Sequence, residues 1–151
     1  MGNRVTYRDG MFELARNDID VGIVTHHTDA MLAFYGDVLG LPSTGSVELP
    51  NRGRIHKFLV GTNVVKLFET LEPVRATTDA SAYPWARAGM QYWTLHVDDL
   101  TPVVEHLAHH GVTPIGGVIE TGYGPRYMLV ADPDGNLVEF VEGVAQPTPP
   151  G

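Results

Sequence analysis

One arrangement of apolar and polar residues occurs twice along the chain, and this repeat constrains the fold more than any other feature of the sequence. Each copy opens with a short, β-branched apolar stretch, residues 19–25 in the first and 91–97 in the second, which is typical of a strand. A segment with apolar residues at helical spacing follows, and a glycine ends it. Asp20 and Tyr92 occupy equivalent places, 72 residues apart. The two copies share this pattern but few of their residues.

Three more strands are predicted in each copy, because apolar and β-branched stretches alternate there with turn residues. Their ranges are 43–49, 54–60 and 63–70 in the first copy, and 112–119, 126–131 and 136–142 in the second. The helices are expected to begin at Thr28 or Asp29 and at Asp98 or Asp99, since these side chains can cap a helix. Each copy therefore has the predicted order β-α-β-β-β.

A single module of this kind would leave one face of its sheet bare. We therefore predict an α+β fold in which the two modules pair into a curved, barrel-like mixed sheet around a cleft, where a small molecule can bind. In chain order the segments are an N-terminal arm, the first module, a connector, the second module and a flexible Pro-rich tail. Their bounds are 1–17, 18–70, 71–90, 91–143 and 144–151.

The amino-acid composition excludes several classes of binding partner. The 151 residues include 10 Lys and Arg against 18 Asp and Glu, a formal net charge of −8. A chain this acidic, without a basic run, is a poor binder of nucleic acid or of anionic membranes. It contains no cysteine, which excludes disulfides and thiolate metal sites and indicates a cytoplasmic protein. A small-molecule ligand is the partner that remains.

Segments in both halves of the chain resemble a known family. They are Val21-Gly22-Ile23-Val24, Leu32-Ala33-Phe34-Tyr35 and Val38-Leu39-Gly40-Leu41 in the first half, and Leu95-His96-Val97-Asp98-Asp99-Leu100, Asp132-Pro133-Asp134-Gly135-Asn136 and Val138-Glu139-Phe140 in the second. On these segments, residues 18–143 resemble the vicinal oxygen chelate superfamily of glyoxalases, bleomycin resistance proteins and extradiol dioxygenases. The resemblance implies the same paired-module fold that the repeat predicts.

The resemblance also implies a place for chemistry. Metal-dependent members hold a divalent ion with side chains, usually His, Glu or Gln, from the first and the last strand of each module. In this sequence those positions carry Asp20, Lys66, Tyr92 and Glu139. A charged ammonium has no lone pair to offer a metal, and a neutral phenol is a poor ligand. We therefore expect no metal cofactor and a polar cluster in its place, with a bound divalent metal as the alternative.

Such a cluster suits an enzyme that transfers a proton next to a carbonyl group of a small oxygenated molecule: an isomerase, an epimerase or a lyase. Glu139 or Asp20 would take the proton, and Lys66 and Tyr92 would stabilise the oxyanion that forms. Each residue also has a structural alternative. The carboxylates could be mere partners of Lys66, Lys66 could lie on a solvated strand edge, and Tyr92 could belong to the core.

Four further residues are candidates for binding the substrate. His26 and His96 have the strand parity of the cluster residues, and His56 lies on an inner strand with a face that the sequence leaves open. Arg126 follows a glycine-flanked segment and would suit a carboxylate or a phosphate. The three histidines together with Glu139 form an alternative metal site, although a lone histidine on a strand is more often structural.

Two other functions stay open at this point. One is a non-catalytic protein that sequesters a small molecule such as an antibiotic, since several aromatic residues could stack on a flat ligand. These residues are Tyr83, Trp85, Tyr92, Trp93, Tyr123 and Tyr127. The other is a divalent-metal lyase or dioxygenase whose ligands lie elsewhere in the sequence. A homodimer is expected in each case, because members of the resembling family are commonly dimers.

Overall fold

The structure, a computed structural model, describes residues 5–6, 13–75, 88–122 and 124–148. Most of the predicted arm and the middle of the predicted connector lie outside these ranges, as do Tyr83, Trp85 and Tyr123. The chain divides into two compact units, which are residues 1–28 with 41–73 and residues 29–40 with 74–151. The first helical segment is thus grouped with the second half of the chain.

The first unit is built on a four-stranded mixed sheet. Two short strands, β1 (Val5–Thr6) and β2 (Glu13–Leu14), form an antiparallel pair before it. The sheet contains β3 (Asp20–Thr25), β4 (Ser43–Leu49), β5 (Gly53–Val60) and β6 (Asn63–Thr70). Their spatial order is β3-β6-β5-β4, with β3 parallel to β6 and the other neighbours antiparallel.

A tight turn at residues 61–62 sets the register of β5 against β6. Val60 pairs with Asn63 across this turn, and Lys57 consequently lies directly opposite Lys66. Successive side chains of a strand point to opposite faces of the sheet. The turn therefore also decides which residues of the two strands share a face.

The second unit combines two helices with a second four-stranded mixed sheet. Helix α1 (Thr28–Leu32) continues as a π-helical turn over Ala33–Val38, and α2 covers Leu100–His109. The strands are β7 (Tyr92–Val97), β8 (Ile119–Glu120), β9 (Arg126–Ala131) and β10 (Leu137–Glu142), in the order β7-β10-β9-β8. As in the first sheet, the first and the last strand of the module run parallel. In the described part of the chain, neither helix has the length and hydropathy to cross a membrane.

The predicted α+β class is confirmed, and β4, β6 and β9 have their predicted bounds. The strand predicted over 112–119 is wrong. Only the two residues of β8 pair with β9. Gly116 and Gly117 have φ of 74° and 77°, in the left-handed region that ends an extended strand. Most of this stretch is therefore loop.

The first helix also differs from the prediction of one continuous α-helix. The amide of Leu39 donates to the carbonyl of Phe34, five residues back, at 2.8 Å, which is the bond of a π-helical turn. Phe34 and Tyr35 within this turn are buried. The Tyr35 ring stacks on Trp93 of β7, with centroids 6.3 Å apart. This contact is one reason why the helix belongs to the second unit.

Helix α2 begins at one of its two predicted caps. The carboxylate of Asp99 accepts the amide of Thr101 at 2.9 Å, as an N-cap residue does. The apolar stripe of the helix buries Leu100 and Leu107, each 1% exposed. The sequence pattern therefore identified both the start and the inward face of this helix.

Candidate functional site

Two residues of the predicted polar cluster form an ion pair in the first sheet. The Nζ atom of Lys66 lies 3.3 Å from Oδ2 of Asp20, and the side chains are 35% and 40% exposed. In the parallel pair of β3 and β6, Gly22 lies opposite Lys66 and Asp20 lies opposite Val64. The two charged residues are thus diagonal neighbours on one face, where a ligand from solvent can reach them.

The two faces of the first sheet differ in burial. On one face Ile23, Val65 and Leu67 are 8%, 2% and 0% exposed, whereas Val24 and Val47 on the Lys66 face are 55% and 47% exposed. We call the Lys66 side the open face. It carries Asp20, Gly22 and Val24 of β3, Val64, Lys66 and Phe68 of β6, Ile55, Lys57 and Leu59 of β5, and Gly45 and Val47 of β4.

Glu139 of β10 is held by one hydroxyl group. Thr94 lies opposite it on the parallel strand β7 and donates to its Oε1 at 2.8 Å. On its other side Glu139 lies opposite Leu129 of β9, which is 1% exposed. The second carboxylate oxygen makes no hydrogen bond with any residue that the structure describes. Glu139 is therefore a half-buried carboxylate with one oxygen free of protein hydrogen bonds among the described residues.

Tyr92 and Trp93 point to opposite faces of β7, as strand alternation predicts. Tyr92 shares its face with Thr94 and Glu139 and is 51% exposed. Trp93 lies on the other face and stacks on Tyr35. Of the Tyr92 hydroxyl and the Trp93 indole N–H, the hydroxyl is therefore the accessible group.

The registers of the two sheets make Lys66 and Glu139 equivalent positions. Lys66 lies opposite Gly22, and Glu139 lies opposite Thr94. Gly22 and Thr94 are 72 residues apart, the same offset that relates Asp20 to Tyr92. The four residues assigned from the resemblance thus occupy matching places in their own sheets.

The three candidate histidines have different settings. His56 lies on the face of the first sheet opposite Lys66, where its Nε2 is 2.8 Å from a carboxylate oxygen of Glu69. His96 is exposed on the β7 face that carries Glu139. His26 is exposed just beyond the end of β3. The open question about His56 is therefore answered: it faces away from Lys66 and already has a partner.

Arg126 forms an ion pair with another residue of the protein. Its Nε donates to Oε1 of Glu142, on the face of the second sheet opposite Glu139. The other oxygen of Glu142 accepts the amide of Leu100 at 2.7 Å, at the start of α2. Arg126 thus holds a carboxylate that caps a helix, and the predicted contact with a substrate anion stays a prediction.

Acid should weaken the fold through Glu142. The hydrogen bond from Arg126, and after it the amide of Leu100, lower the pKa of Glu142 from its usual 4.5. These contacts therefore add stability that is present above pH 4.5 and is lost as the pH falls through the folded-state pKa. We expect the free energy of unfolding of the wild type to fall toward that of Glu142→Gln below this pH, measured by urea titration. A difference that stays constant from about pH 6 to about pH 3 would contradict this linkage.

The residues at the family's metal positions do not suit a divalent cation. Asp20 is paired with the ammonium group of Lys66, which would repel a metal ion. In the alternative set of three histidines with Glu139, His56 lies on the other face of the first sheet from Lys66 and has Glu69 as its partner. Within the described ranges, no group of three or more His, Cys, Asp or Glu side chains could hold a metal ion.

Lys57, which the sequence pattern did not single out, lies opposite Lys66 on the open face. A signal for it was present, because a two-residue turn at residues 61–62 would by itself pair Val60 with Asn63 and so Lys57 with Lys66. The predicted strands 54–60 and 63–70 imply this turn, but the register of β5 was left open. The same step would have placed His56 on the other face.

Each unit contains a mixed four-stranded sheet in which the first and the last strand of a β-α-β-β-β module are parallel neighbours. The family model of the glyoxalase/bleomycin resistance protein/dioxygenase superfamily matches residues 19–140. The chain therefore belongs to this superfamily. A sequence comparison with curated proteins gives no match.

Several solved structures share this fold over most of the length of both chains. A glyoxalase family protein from Bacillus cereus has a TM-score of 0.72 and 21% identity, covering 89% of this chain and 98% of that one. The trypanothione-dependent glyoxalase I of Leishmania major has a TM-score of 0.67 and 19% identity, covering 85% of this chain and 87% of that one. TnmS3, an antibiotic-binding protein from Streptomyces sp. CB03234, has a TM-score of 0.63 and 18% identity, covering 87% of this chain and 99% of that one. At these identities the likeness establishes the fold.

Proposed function

We propose that this protein binds a small oxygenated organic molecule and transfers a proton next to its carbonyl group without a metal ion, as an isomerase, epimerase or lyase. The observation that carries this proposal is the ion pair of Lys66 with Asp20, 3.3 Å apart, at positions where the family places metal ligands. A fixed ammonium group can supply the positive charge that a metal would otherwise supply. The family membership supports a small-molecule ligand.

In the proposed reaction Glu139 removes a proton from the carbon beside the carbonyl group. The C–H electron pair becomes the double bond of an enolate, and negative charge develops on the carbonyl oxygen. Lys66 stabilises this oxygen by its charge, and Tyr92 donates a hydrogen bond to it. For a 2-hydroxy carbonyl substrate, return of the proton from Glu139 to the former carbonyl carbon, while the 2-hydroxyl proton passes to the former carbonyl oxygen, completes an isomerisation. Protonation of the original carbon by solvent on its other face completes an epimerisation, and Glu139 then gives its proton to solvent. Loss of a group from the next carbon would instead complete a lyase reaction.

The surroundings of Glu139 support its role as the base. Thr94 donates to one oxygen at 2.8 Å and so fixes the orientation of the carboxylate. The other oxygen stays available for a substrate proton. Leu129 on the neighbouring strand is 1% exposed and limits the water around this side of the group. Orientation together with partial exclusion of water favours proton transfer from carbon.

The test measures proton transfer directly, by the exchange of C–H for C–D in D₂O. A panel of 2-oxo acids, 3-oxo acids and 2-hydroxy ketones is incubated with the protein and followed by NMR. Glu139→Gln is expected to slow the exchange at least about 100-fold, and Lys66→Met by about 100-fold. Glu105→Gln, an exposed carboxylate of α2, serves as the control and should leave the rate unchanged.

Two results would count against this function. The first is equal exchange by Glu139→Gln and the wild type. The second is loss of exchange after a chelator and its return with a divalent metal, which would favour the metal lyase or dioxygenase instead. Circular dichroism of each variant confirms that the fold is retained.

A second candidate is a protein that sequesters its ligand unchanged. The exposed apolar side chains of the open face, Val24 at 55% and Val47 at 47%, favour it, because they can cover a flat molecule without any chemistry. TnmS3, which shares the fold, is named as an antibiotic-binding protein. Stoichiometric binding with no exchange in any compound of the panel would support this candidate. The homodimer stays a proposal in either case, to be checked by light scattering.

A further inference from the structure

The two lysines of the chain lie side by side. Lys57 and Lys66 are the only lysines among the 151 residues. They face each other directly across the antiparallel pair β5–β6, on the open face. Like charges in directly opposite positions of a sheet destabilise it. In a chain with a formal net charge of −8, this placement indicates that positive charge has a function at this part of the open face.

The charges on the open face do not balance. Asp20 pairs with Lys66 at 3.3 Å, whereas Lys57 makes no hydrogen bond or ion pair with any residue in the described ranges. The face therefore carries two ammonium groups against one carboxylate. A bound anion would remove both the repulsion between the lysines and the excess charge.

There is space for such an anion beside the lysines. Gly22 lies opposite Lys66 on one side, and Gly45 lies opposite Lys57 on the other. A Cβ atom placed on either glycine would meet nothing within 4 Å. The row across the four strands thus consists of two lysines flanked by two residues without side chains, and the space above the glycines is open.

Most side chains in the rows on either side of the lysines are apolar. Val24, Phe68, Ile55 and Val47 form one row, and Val64 and Leu59 lie in the other together with Asp20, the partner of Lys66. Such side chains bind the flat or aliphatic body of a ligand by removing apolar surface from water. A row of two lysines with mostly apolar side chains around it fits a molecule that is itself apolar with one acidic group.

We propose that the open face of the first sheet binds a small organic acid. Its carboxylate, phosphate or sulfonate group lies between Lys57 and Lys66, and its apolar body covers the neighbouring valine, isoleucine and phenylalanine side chains. This inference names the ligand class of the proposed function and rests on it for the contact between Lys66 and the ligand. Lys57 is a binding residue, and it takes no part in the proton transfer.

The experiment compares two fluorescent probes with the same aromatic rings. 8-Anilinonaphthalene-1-sulfonate carries an acidic group, and N-phenyl-1-naphthylamine does not. Lys57→Gln is expected to raise the Kd of the sulfonate about five- to tenfold, because it removes one charge-assisted contact. The Kd of the uncharged probe should change less than about twofold. The preference for the sulfonate should also fade as salt rises from about 20 mM to about 500 mM.

Arg54→Gln is the matched control. Arg54 lies on the same strand as Lys57 but on the opposite face, near Glu48 and Glu69, and its loss changes the net charge by the same amount. Equal weakening of sulfonate binding by both variants would overturn the proposal, since it would reflect net charge alone. An unchanged Kd in Lys57→Gln would overturn it as well.

The location of the probe is checked on the lysines themselves. Reductive methylation with ¹³C-formaldehyde keeps the charge of each amine and labels the two lysines together with the N-terminus. Addition of the sulfonate should shift both lysine signals, which Lys57→Gln assigns. If neither lysine signal moves while the probe binds, the site lies elsewhere and the proposal is wrong. Binding of the sulfonate requires no proton transfer, so a failure of the proton-transfer mechanism would leave this result intact.

Discussion

Asp132→Ala is expected to lower the free energy of unfolding by about 3–4 kcal/mol, because one buried carboxylate accepts hydrogen bonds from several donors. Asp132 is 4% exposed. Its Oδ2 accepts the hydroxyl of Tyr35 at 2.7 Å, and its Oδ1 accepts the amides of Asp134 and Asn136 at 3.0 and 2.9 Å. The side-chain amide of Asn136 donates to both oxygens. Alanine would take the acceptor away from all of these donors.

The loss should appear in urea denaturation followed by tryptophan fluorescence, to which Trp93, stacked on Tyr35, contributes. Tyr35→Phe removes one of the same bonds and is expected to cost about 1–2 kcal/mol. Asp98→Ala, at an exposed residue before α2, should stay within about 0.5 kcal/mol of the wild type. A cost below about 1 kcal/mol for Asp132→Ala would mean that solvent replaces these bonds.

The cost of Asp132→Ala should grow as the pH falls. Burial raises the pKa of Asp132 above its usual 3.8, against the opposing hydrogen bonds from Asn136 and Tyr35. A raised folded-state pKa means that the stability contributed by the group is complete below its unfolded pKa and is lost as the pH rises through the folded one. The cost is therefore larger near pH 3.8 than at neutral pH. The cost of Glu142→Gln changes with pH in the opposite direction, since it shrinks as the pH falls.

Gly53→Ala is expected to destabilise the protein by about 3 kcal/mol or more. Gly53 begins β5 with φ of 144°, in a region that side chains rarely allow. A Cβ atom placed there would lie 1.9 Å from the carbonyl oxygen of Glu69 and 3.2 Å from Cε2 of Phe68. The first contact is with backbone of the central strand β6, so relief requires the β5–β6 ladder to separate at this end.

Gly22→Ala is the matched control for Gly53→Ala in the same sheet. A Cβ atom at Gly22 would meet nothing within 4 Å, and its φ lies outside the left-handed region. Its effect on the urea midpoint should be small, within about 0.5 kcal/mol. Similar effects of the two substitutions would show that the close approach at Gly53 is relieved at little cost.

The elements of this fold were largely readable from the sequence, since they depend on local patterns. The parity of apolar residues predicted β6 and β9 with their bounds, and Asp99 marked the start of α2. The failures have local causes as well. Residues 112–119 are apolar enough for a strand, but Gly116 and Gly117 interrupt it. The π-helical turn at Ala33–Val38 has no sequence signal of comparable strength.

The candidate site was predictable only in part. The family resemblance placed Asp20, Lys66 and Glu139 on the first and last strands of their modules, and these residues lie on β3, β6 and β10. The face of His56 and the position of Lys57 depended on the pairing of β5 with β6, which the pattern of one strand does not contain. Arg126 looked free for an anion, but Glu142, 16 residues later, engages it.

The sequence by itself determined the module order, the absence of cysteine and the lysine where a metal ligand is expected, because each of these is a property of single residues or of local periodicity. Tertiary structure decided which charges meet. The pairing of Lys57 with Lys66 and of Arg126 with Glu142 comes from the register of neighbouring strands, and that of Tyr35 with Asp132 from packing between distant segments. The physical reason is that a shift of one residue in register moves every side chain of a strand to the other face, while the local pattern of apolar residues stays unchanged.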